Sequence, residues 1–230
     1  MNDRINNEPD NCGRMAACFR DLTPEELEQI NRGKTELTYL AGENLFKQGA
    51  FSTHLLLITG GLVKVYLQTG RDKQLNLQLA QTGDFLGFAS LFGETLHATS
   101  AVALTDTQIC MIDKEQMRTL LLNNAQFAMR ITSRNYRNER QLLTIIANMT
   151  YKQMRGKMAS TLLYLSSDHF SDRNLFQYLS RQDLANFASV ATESAIKLLK
   201  EFERDGIIAL QGKGIILLNR PELEKIERLG

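Results

Sequence analysis

The segment from Ser180 to Leu218 reads S-R-Q-D-L-A-N-F-A-S-V-A-T-E-S-A-I-K-L-L-K-E-F-E-R-D-G-I-I-A-L-Q-G-K-G-I-I-L-L, and its punctuation leaves few folds open. Ser180 with Asp183 beyond it is an N-cap and an acidic partner in the first helical turn. Leu184, Phe187 and Ala188 then share one face of a short helix. Ser189, Val190 and Ala191 leave room only for a tight corner. A second helix is expected over Thr192–Arg204, with Ala195, Leu198, Leu199 and Phe202 inward and Asp205-Gly206 as its stop. Two helices joined in this way form a helix-turn-helix, whose second helix enters a DNA major groove. Ile207–Leu210 and Ile215–Leu218 are short apolar strands about Gln211-Gly212-Lys213-Gly214, a hairpin with a cationic tip. The expectation is a winged helix-turn-helix. An αα-hairpin packed in a core has the same apolar spacing. Against that alternative, the outward residues Thr192, Glu193, Lys197 and Lys200 are polar, and only Ile196 is not.

The stretch resembles the DNA-binding helices of the CRP/FNR superfamily, the regulators of the cyclic-AMP receptor and fumarate–nitrate reductase regulator type, which read T-R-x-[DE]-[IL]-A-x-x-x-G-x-[ST]-x-E-[ST]-[VI]-x-R-x-L. The resemblance puts Glu193 on the base-reading glutamate of these proteins and Lys197 on their base-reading arginine. The expected DNA contacts are Ser180, Arg181, Thr192, Glu193, Ile196, Lys197, Lys200 and Lys213. Two residues depart from the pattern. Ser189 replaces the corner glycine, and Ala191 replaces a hydroxyl N-cap, a loss worth roughly 1 kcal/mol of local helix stability.

With 230 residues the chain suits one large domain or two modest ones, and its net charge of +1 means that any DNA-binding charge must be concentrated locally. No apolar run spans a bilayer, Met1–Asp10 is no signal peptide, and three cysteines do not make a secreted disulfide framework. A cytoplasmic location is expected.

Leu22-Thr23-Pro24-Glu25-Glu26 is a helix start, with Thr23 as N-cap and proline in the first turn. From Lys34 to Asp113, short strands alternate with turns at Gly42, Gly49, Gly60-Gly61, Gly70, Gly83 and Gly87, the pattern of a β-sandwich or β-roll. Tyr39–Gly49 and Leu55–Val65 resemble the cyclic-nucleotide-binding-like β-roll of the same superfamily, and Gly83-Asp84-Phe85-Leu86-Gly87 resembles the start of its ligand cassette. Lys114–Leu122 and Ala125–Asn148 read as helices; in the superfamily the long one pairs with its copy in a second subunit. Its apolar stripe is Phe127, Ile131, Leu142, Ile145, Ile146 and Met149, around a polar centre from Ser133 to Gln141. A further helix over Thr150–Ser167 precedes a brief strand at Phe176–Leu179. The expected fold is α+β: a segment and β-roll sensor domain over 1–123, a long dimerisation helix over 124–150, and a winged helix-turn-helix domain over 151–230.

The superfamily's cyclic-AMP site uses a glutamate after the second cassette glycine and an arginine before a later hydroxyl residue. Arginine holds a phosphate bidentately, and an unpaired buried phosphate is costly. Here Phe88 stands at the glutamate and Ala98 at the arginine, only Thr99 matches, and Leu142 and Leu143 replace hydroxyls of the long helix. The expected pocket comprises Gly83, Phe85, Gly87, Phe88, His97, Ala98, Thr99, Leu142 and Leu143, and it is poorly equipped for cyclic AMP. Cys12, Cys18 and Cys110 resemble part of the iron–sulfur ligand set of oxygen-sensing members, but a four-iron cluster asks for four thiolates. The alternative is that Cys18 and Cys110 are buried apolar residues. Haem bound through His97 and a small organic metabolite also stay open, so no cofactor is assigned. The expected protein is a bacterial homodimer that regulates transcription at an inverted-repeat DNA site, with RNA polymerase as a further partner. Rival classes are an enzyme and a cyclic-nucleotide-binding interaction module. No P-loop, Rossmann fingerprint, zinc-ligand spacing or nucleophile elbow supports the first, and the winged helix-turn-helix speaks against the second.

Overall fold

The computed structural model describes residues 19–71, 73–170 and 175–230. Its contacts divide the chain into two compact units, residues 1–65 with 79–138, and residues 66–78 with 139–230. The division falls inside the long helix, whereas the sequence places a boundary near Tyr151.

The first unit begins with helix α1, Pro24–Arg32, where Thr23 and Glu26 cap one another reciprocally: the Glu26 N–H donates to Thr23 Oγ1 at 3.2 Å and the Thr23 N–H to Glu26 Oε2 at 2.9 Å. Eight strands follow: β1 Thr35–Tyr39, β2 Asn44–Phe46, β3 His54–Gly60, β4 Leu62–Gly70, β5 Lys73–Gln81, β6 Phe85–Leu86, β7 Ser100–Ala103 and β8 Thr107–Asp113. They form two four-stranded sheets, ordered β1-β8-β3-β6 and β2-β7-β4-β5. Strand β3 is apolar without alternation because it is covered on both sides. Leu56 and Ile58 join Val63, Val65 and Ile109 in one core, while Leu55 and Leu57 join Cys110, Ile112 and Met117 in another. Gly61 turns between β3 and β4 with φ +99°, and a Cβ there would lie 2.6 Å from the Asp106 carbonyl oxygen.

Helix α2, Lys114–Asn123, starts on Asp113, whose carboxylate accepts from the Glu115 and Gln116 N–H groups. Asn124 then caps the long helix α3, Ala125–Tyr151, by accepting from the Phe127 N–H at 3.0 Å, and its amide donates to Glu26 Oε2 and the Asp21 carbonyl. Phe127 and Ile131 are a correction to the expected stripe. They are 0% and 2% exposed, packed against Phe19, Leu91, Met117 and Leu120. Periodicity identifies an apolar face without naming what covers it, and here the β-roll side of the same chain covers it. Leu142, Ile146 and Met149 are exposed, and Ile145 is buried.

The second unit holds residues 66–78 of β4 and β5 and the end of α3, then α4 Met154–Leu165, α5 Arg181–Ala188, α6 Thr192–Arg204, the hairpin β9 Ile208–Gln211 with β10 Gly214–Leu217, and α7 Arg220–Leu229. Phe176–Leu179, expected as a strand, falls instead in and just after a 3-10 turn over Leu175–Tyr178, which lies against β10; Leu175, Phe176 and Leu179 are buried there. The architecture is therefore the expected α+β one, a β-roll, a long helix and a C-terminal winged helix-turn-helix.

Candidate nucleic-acid interface and sensor pocket

The start of α5 is fixed by a capping box. Ser180 Oγ accepts from the Asp183 N–H at 3.0 Å, and the Ser180 N–H donates to Asp183 Oδ2 at 2.9 Å. Ser189 closes the helix in the left-handed region at φ 52°, the one such non-glycine residue among those described, and its N–H reaches the Ala185 carbonyl. The missing corner glycine is thus replaced by a serine that adopts glycine's conformation. Helix α6 starts at Thr192 with Ala191 as N-cap in extended backbone and no side-chain acceptor. Instead the Thr192 hydroxyl donates across the corner to Gln182 Oε1.

The orientation of α6 follows from its period. Ala195, Leu198, Leu199 and Phe202 are buried, and Arg155 of α4 lies over the Phe202 ring at 5.0 Å while its Nη2 donates to Asp205 Oδ2 at 2.7 Å. That pairing, chiefly its hydrogen bond, holds the Asp205 carboxyl below its usual value of 3.8. Glu193, Ile196, Lys197 and Lys200 face outward together. One acceptor, one apolar contact and two cations thus lie on one face of a helix.

The wing is tied to this face. Arg181 Nη2 donates to the Gly212 carbonyl at the tip of the β9–β10 turn at 3.1 Å, beside exposed Lys213. Arg181 Nη1 is buried and has no hydrogen-bond partner. Burial lowers the pKa of this guanidinium below its ordinary value, with Glu203 opposing the shift, and an arginine remains cationic. Asn76, on the part of β5 that belongs to this unit, is fully buried and donates from Nδ2 to the Asp183 carbonyl at 3.1 Å. No sequence signal pointed to that residue, because a lone asparagine in a strand carries none.

In the first unit, Phe85 and Phe88 of the segment matched to the ligand cassette line one small cavity. Asp84, Phe85, Phe88, Ile131, Arg134 and Asn135 enclose only about 10 Å³, near the smallest volume that holds one water. Arg134 of α3 fills the place, with Nη2 3.0 Å and Nε 3.2 Å from Asp84 Oδ1, while Asp84 Oδ2 accepts from the Gln81 N–H. Gly83 is buried beneath this pair at φ +88°, and a Cβ on it would lie 2.9 Å from Arg134 Nη2. Gly83 therefore makes room for a guanidinium. The sequence hid the pair because fifty residues separate its members.

The other expected pocket residues lie on several elements, with Gly87 and His97 close together. Phe88 packs edge-on against Phe92 at 5.6 Å within the 3-10 turn Phe88–Phe92, Ala98 is exposed, and Thr99 is half-buried. His97 stacks on Phe46 with ring centroids 3.8 Å apart and 10° between planes, close over Gly87. Burial lowers its pKa from 6.5. Leu142 and Leu143 belong to the second unit and are exposed. Neither a carboxylate nor an arginine stands at Phe88 or Ala98, so the donor set does not fit a cyclic nucleotide. Cys110 is a fully buried thiol in the core with Leu55, Leu57 and Met117, whereas Cys12 and Cys18 lie outside the described residues. Among the described residues no three His, Cys, Asp or Glu side chains are grouped to hold a metal ion, and no helix is long and apolar enough to cross a membrane.

Two family models match the chain, the cyclic nucleotide-binding domain over residues 36–124 and the Crp-like helix-turn-helix domain over residues 156–226. The anaerobic regulatory protein of Bacillus subtilis is 27% identical over 188 residues, covering 80% of this chain and 79% of that one. The fumarate and nitrate reduction regulatory protein of Escherichia coli K12 is 26% identical over 213 residues, covering 89% and 84%. The structure of FixK2 from Bradyrhizobium japonicum superposes with a TM-score of 0.75 at 18% identity, over 84% of this chain and 97% of that one, which is a likeness of fold. A β-roll of the cyclic-nucleotide-binding kind followed by a Crp-like helix-turn-helix defines a DNA-binding transcription regulator. The chain belongs to the CRP/FNR family.

Proposed function

We propose that this regulator acts as a cytoplasmic homodimer on an inverted-repeat DNA site, that Glu193 and Lys197 read its bases, and that its β-roll answers to an effector other than cyclic AMP. The observation that carries the proposal is the outward face of α6, where Glu193, Ile196, Lys197 and Lys200 stand opposite the buried Ala195, Leu198, Leu199 and Phe202. A carboxylate only accepts, so Glu193 suits the cytosine amino group; an ammonium only donates, so Lys197 suits guanine N7 and O6. Ile196 between them suits a thymine methyl. Ser180, Arg181, Thr192, Lys200 and Lys213 are assigned to the DNA backbone, and no residue is assigned a catalytic role. The exposed Leu142, Ile146 and Met149, at spacings of four and three on α3, are assigned to the dimer seam. Two-fold symmetry then sets the half-sites about 34–36 Å apart, one DNA turn. RNA polymerase is the further partner of the bound dimer.

The test is selection of binding sites from random DNA by the wild type and by Glu193→Ala and Lys200→Ala, each measured at several salt concentrations. Glu193→Ala is expected to cost about 1–3 kcal/mol on the preferred site and to relax one base pair per half-site. Lys200→Ala is expected to weaken all sequences alike and to flatten the salt slope by about one unit per contact. If Glu193→Ala weakens every sequence equally, α6 does not read bases in this way. For the effector, titration calorimetry is expected to give no tight binding of cyclic AMP, and micromolar affinity would overturn the argument from Phe88 and Ala98.

A further inference from the structure

Within the second unit, the last turns of α3 meet α4, α5 and α7 around a cavity of about 240 Å³. We propose that this cavity is a binding site for a flat, uncharged, fused-ring heterocycle with a ring N–H donor, distinct from the β-roll pocket. Three features of its lining give the class of ligand. The first is size and shape. An apolar cavity of about 150 Å³ accommodates benzene, so this one has room for a second ring. Ile145, buried Phe187 and the Tyr164 ring, whose centroid is 6.0 Å from that of Phe187, supply an apolar and aromatic side against which a flat molecule packs.

The second feature is a polar pair on the lining. Asn148 Nδ2 donates to Ser160 Oγ at 2.7 Å, and Ser160 is buried. That bond leaves the Asn148 amide carbonyl as an acceptor and the Ser160 hydroxyl hydrogen as a donor. A ring N–H answers the first and a ring nitrogen or carbonyl the second. The third feature is that the described residues of the lining offer no unpaired charge. Among the described residues Glu227 is the one carboxylate in the lining, and Lys152 already pairs with it. A phosphate or carboxylate ligand would lose its water and gain no counter-ion, so cyclic nucleotides and acidic metabolites are disfavoured here as well.

The position gives such a ligand a consequence. Phe187 lies on α5, the first helix of the DNA-binding pair, and Asn148 lies on α3, so an occupant touches both and fixes α5 against the end of α3.

Indole serves as the probe. The chain contains no tryptophan, so indole fluorescence excited at the red edge of its absorption reports the ligand alone. Titration of full-length protein into indole is expected to give a saturable spectral shift at submillimolar to low-millimolar protein. Thr144→Phe, an exposed lining position whose new ring would occupy the cavity, is expected to abolish that shift. Asn148→Ala is expected to weaken it about five- to tenfold, the loss of one hydrogen bond. Thermal melts of both variants confirm that they fold, and if Thr144→Phe does not, Asn148→Ala carries the test. A shift that never saturates, or one that persists unchanged in the folded variants, overturns the proposal. Neither outcome bears on base reading by α6, which the selection experiment measures separately.

Discussion

Ala191 is the N-cap of α6, the helix proposed to read DNA, and its side chain makes no capping hydrogen bond. Replacing it with serine is expected to stabilise the free protein. The backbone at this position, φ −67° and ψ 149°, already has the extended geometry of an N-cap, so the new hydroxyl needs no rearrangement to accept from the Ser194 N–H. No side chain caps the helix at present, and the Thr192 hydroxyl is turned toward Gln182. Glu193 in the first turn already supplies negative charge to the helix end, so the serine adds a hydrogen bond more than it adds electrostatics. The expected gain is about 1 kcal/mol, or roughly 2–4 °C in the melting temperature of a chain of this size. Calorimetric melting without DNA is the assay, with Ala191→Val as control, because valine adds bulk at the same place without an acceptor. If part of the DNA-binding free energy is spent ordering this turn, Ala191→Ser also tightens binding, by at most about fivefold. A melting temperature no higher than that of Ala191→Val would refute the reasoning, since it would mean that the helix start has no unmet donors.

Gly83→Ala is expected to cost at least the 1–2 kcal/mol of a left-handed non-glycine residue and to dislodge Arg134 from Asp84; denaturant unfolding of the variant alone and with Arg134→Ala separates the two effects, and an unchanged midpoint refutes both. His97 is held with its pKa below 6.5 by burial, so the unfolded chain binds a proton that the folded protein resists as the pH falls from 6.5 toward the lowered value. Stability is therefore fully present above 6.5 and declines below it, and His97→Gln is expected to flatten that decline in melting curves taken across the window. Leu142→Glu places a charge in the proposed seam and is expected to give monomers in analytical ultracentrifugation, with DNA binding much weakened; a fully dimeric variant places the contact elsewhere.

Local chemistry made the second unit legible in the sequence. Ser180 with Asp183, the corner at Ser189–Ala191, and the Asp205-Gly206 stop each act within a few residues, and the structure shows helices at those bounds. Thr23 with Glu26 was legible for the same reason. Residues with distant partners were not. The spacing of Phe127 and Ile131 matches that of Leu142, Ile146 and Met149, yet the first pair is buried under the β-roll core and the others are exposed. Arg134 read as one charge among many until Asp84 was found beneath it. Asn76 and the Asn148–Ser160 pair gave no pattern, since a single buried amide has no period and no motif.

The anchoring of α3 has a torsional consequence. Phe127, Ile131 and Arg134 lie at spacings of four and three, so two buried side chains and an ion pair grip one face of the helix over its first three turns. From Ala125 to Tyr151 the helix contains no glycine or proline at which twist could be absorbed. Turning this gripped face about the helix axis would have to pull Phe127 and Ile131 out of the core and part Arg134 from Asp84 at the same time, so the first three turns cannot rotate against the β-roll one contact at a time. That end of the helix behaves as a keyed peg: three side chains along one face fix its angle in the β-roll, where a single contact would fix only its position.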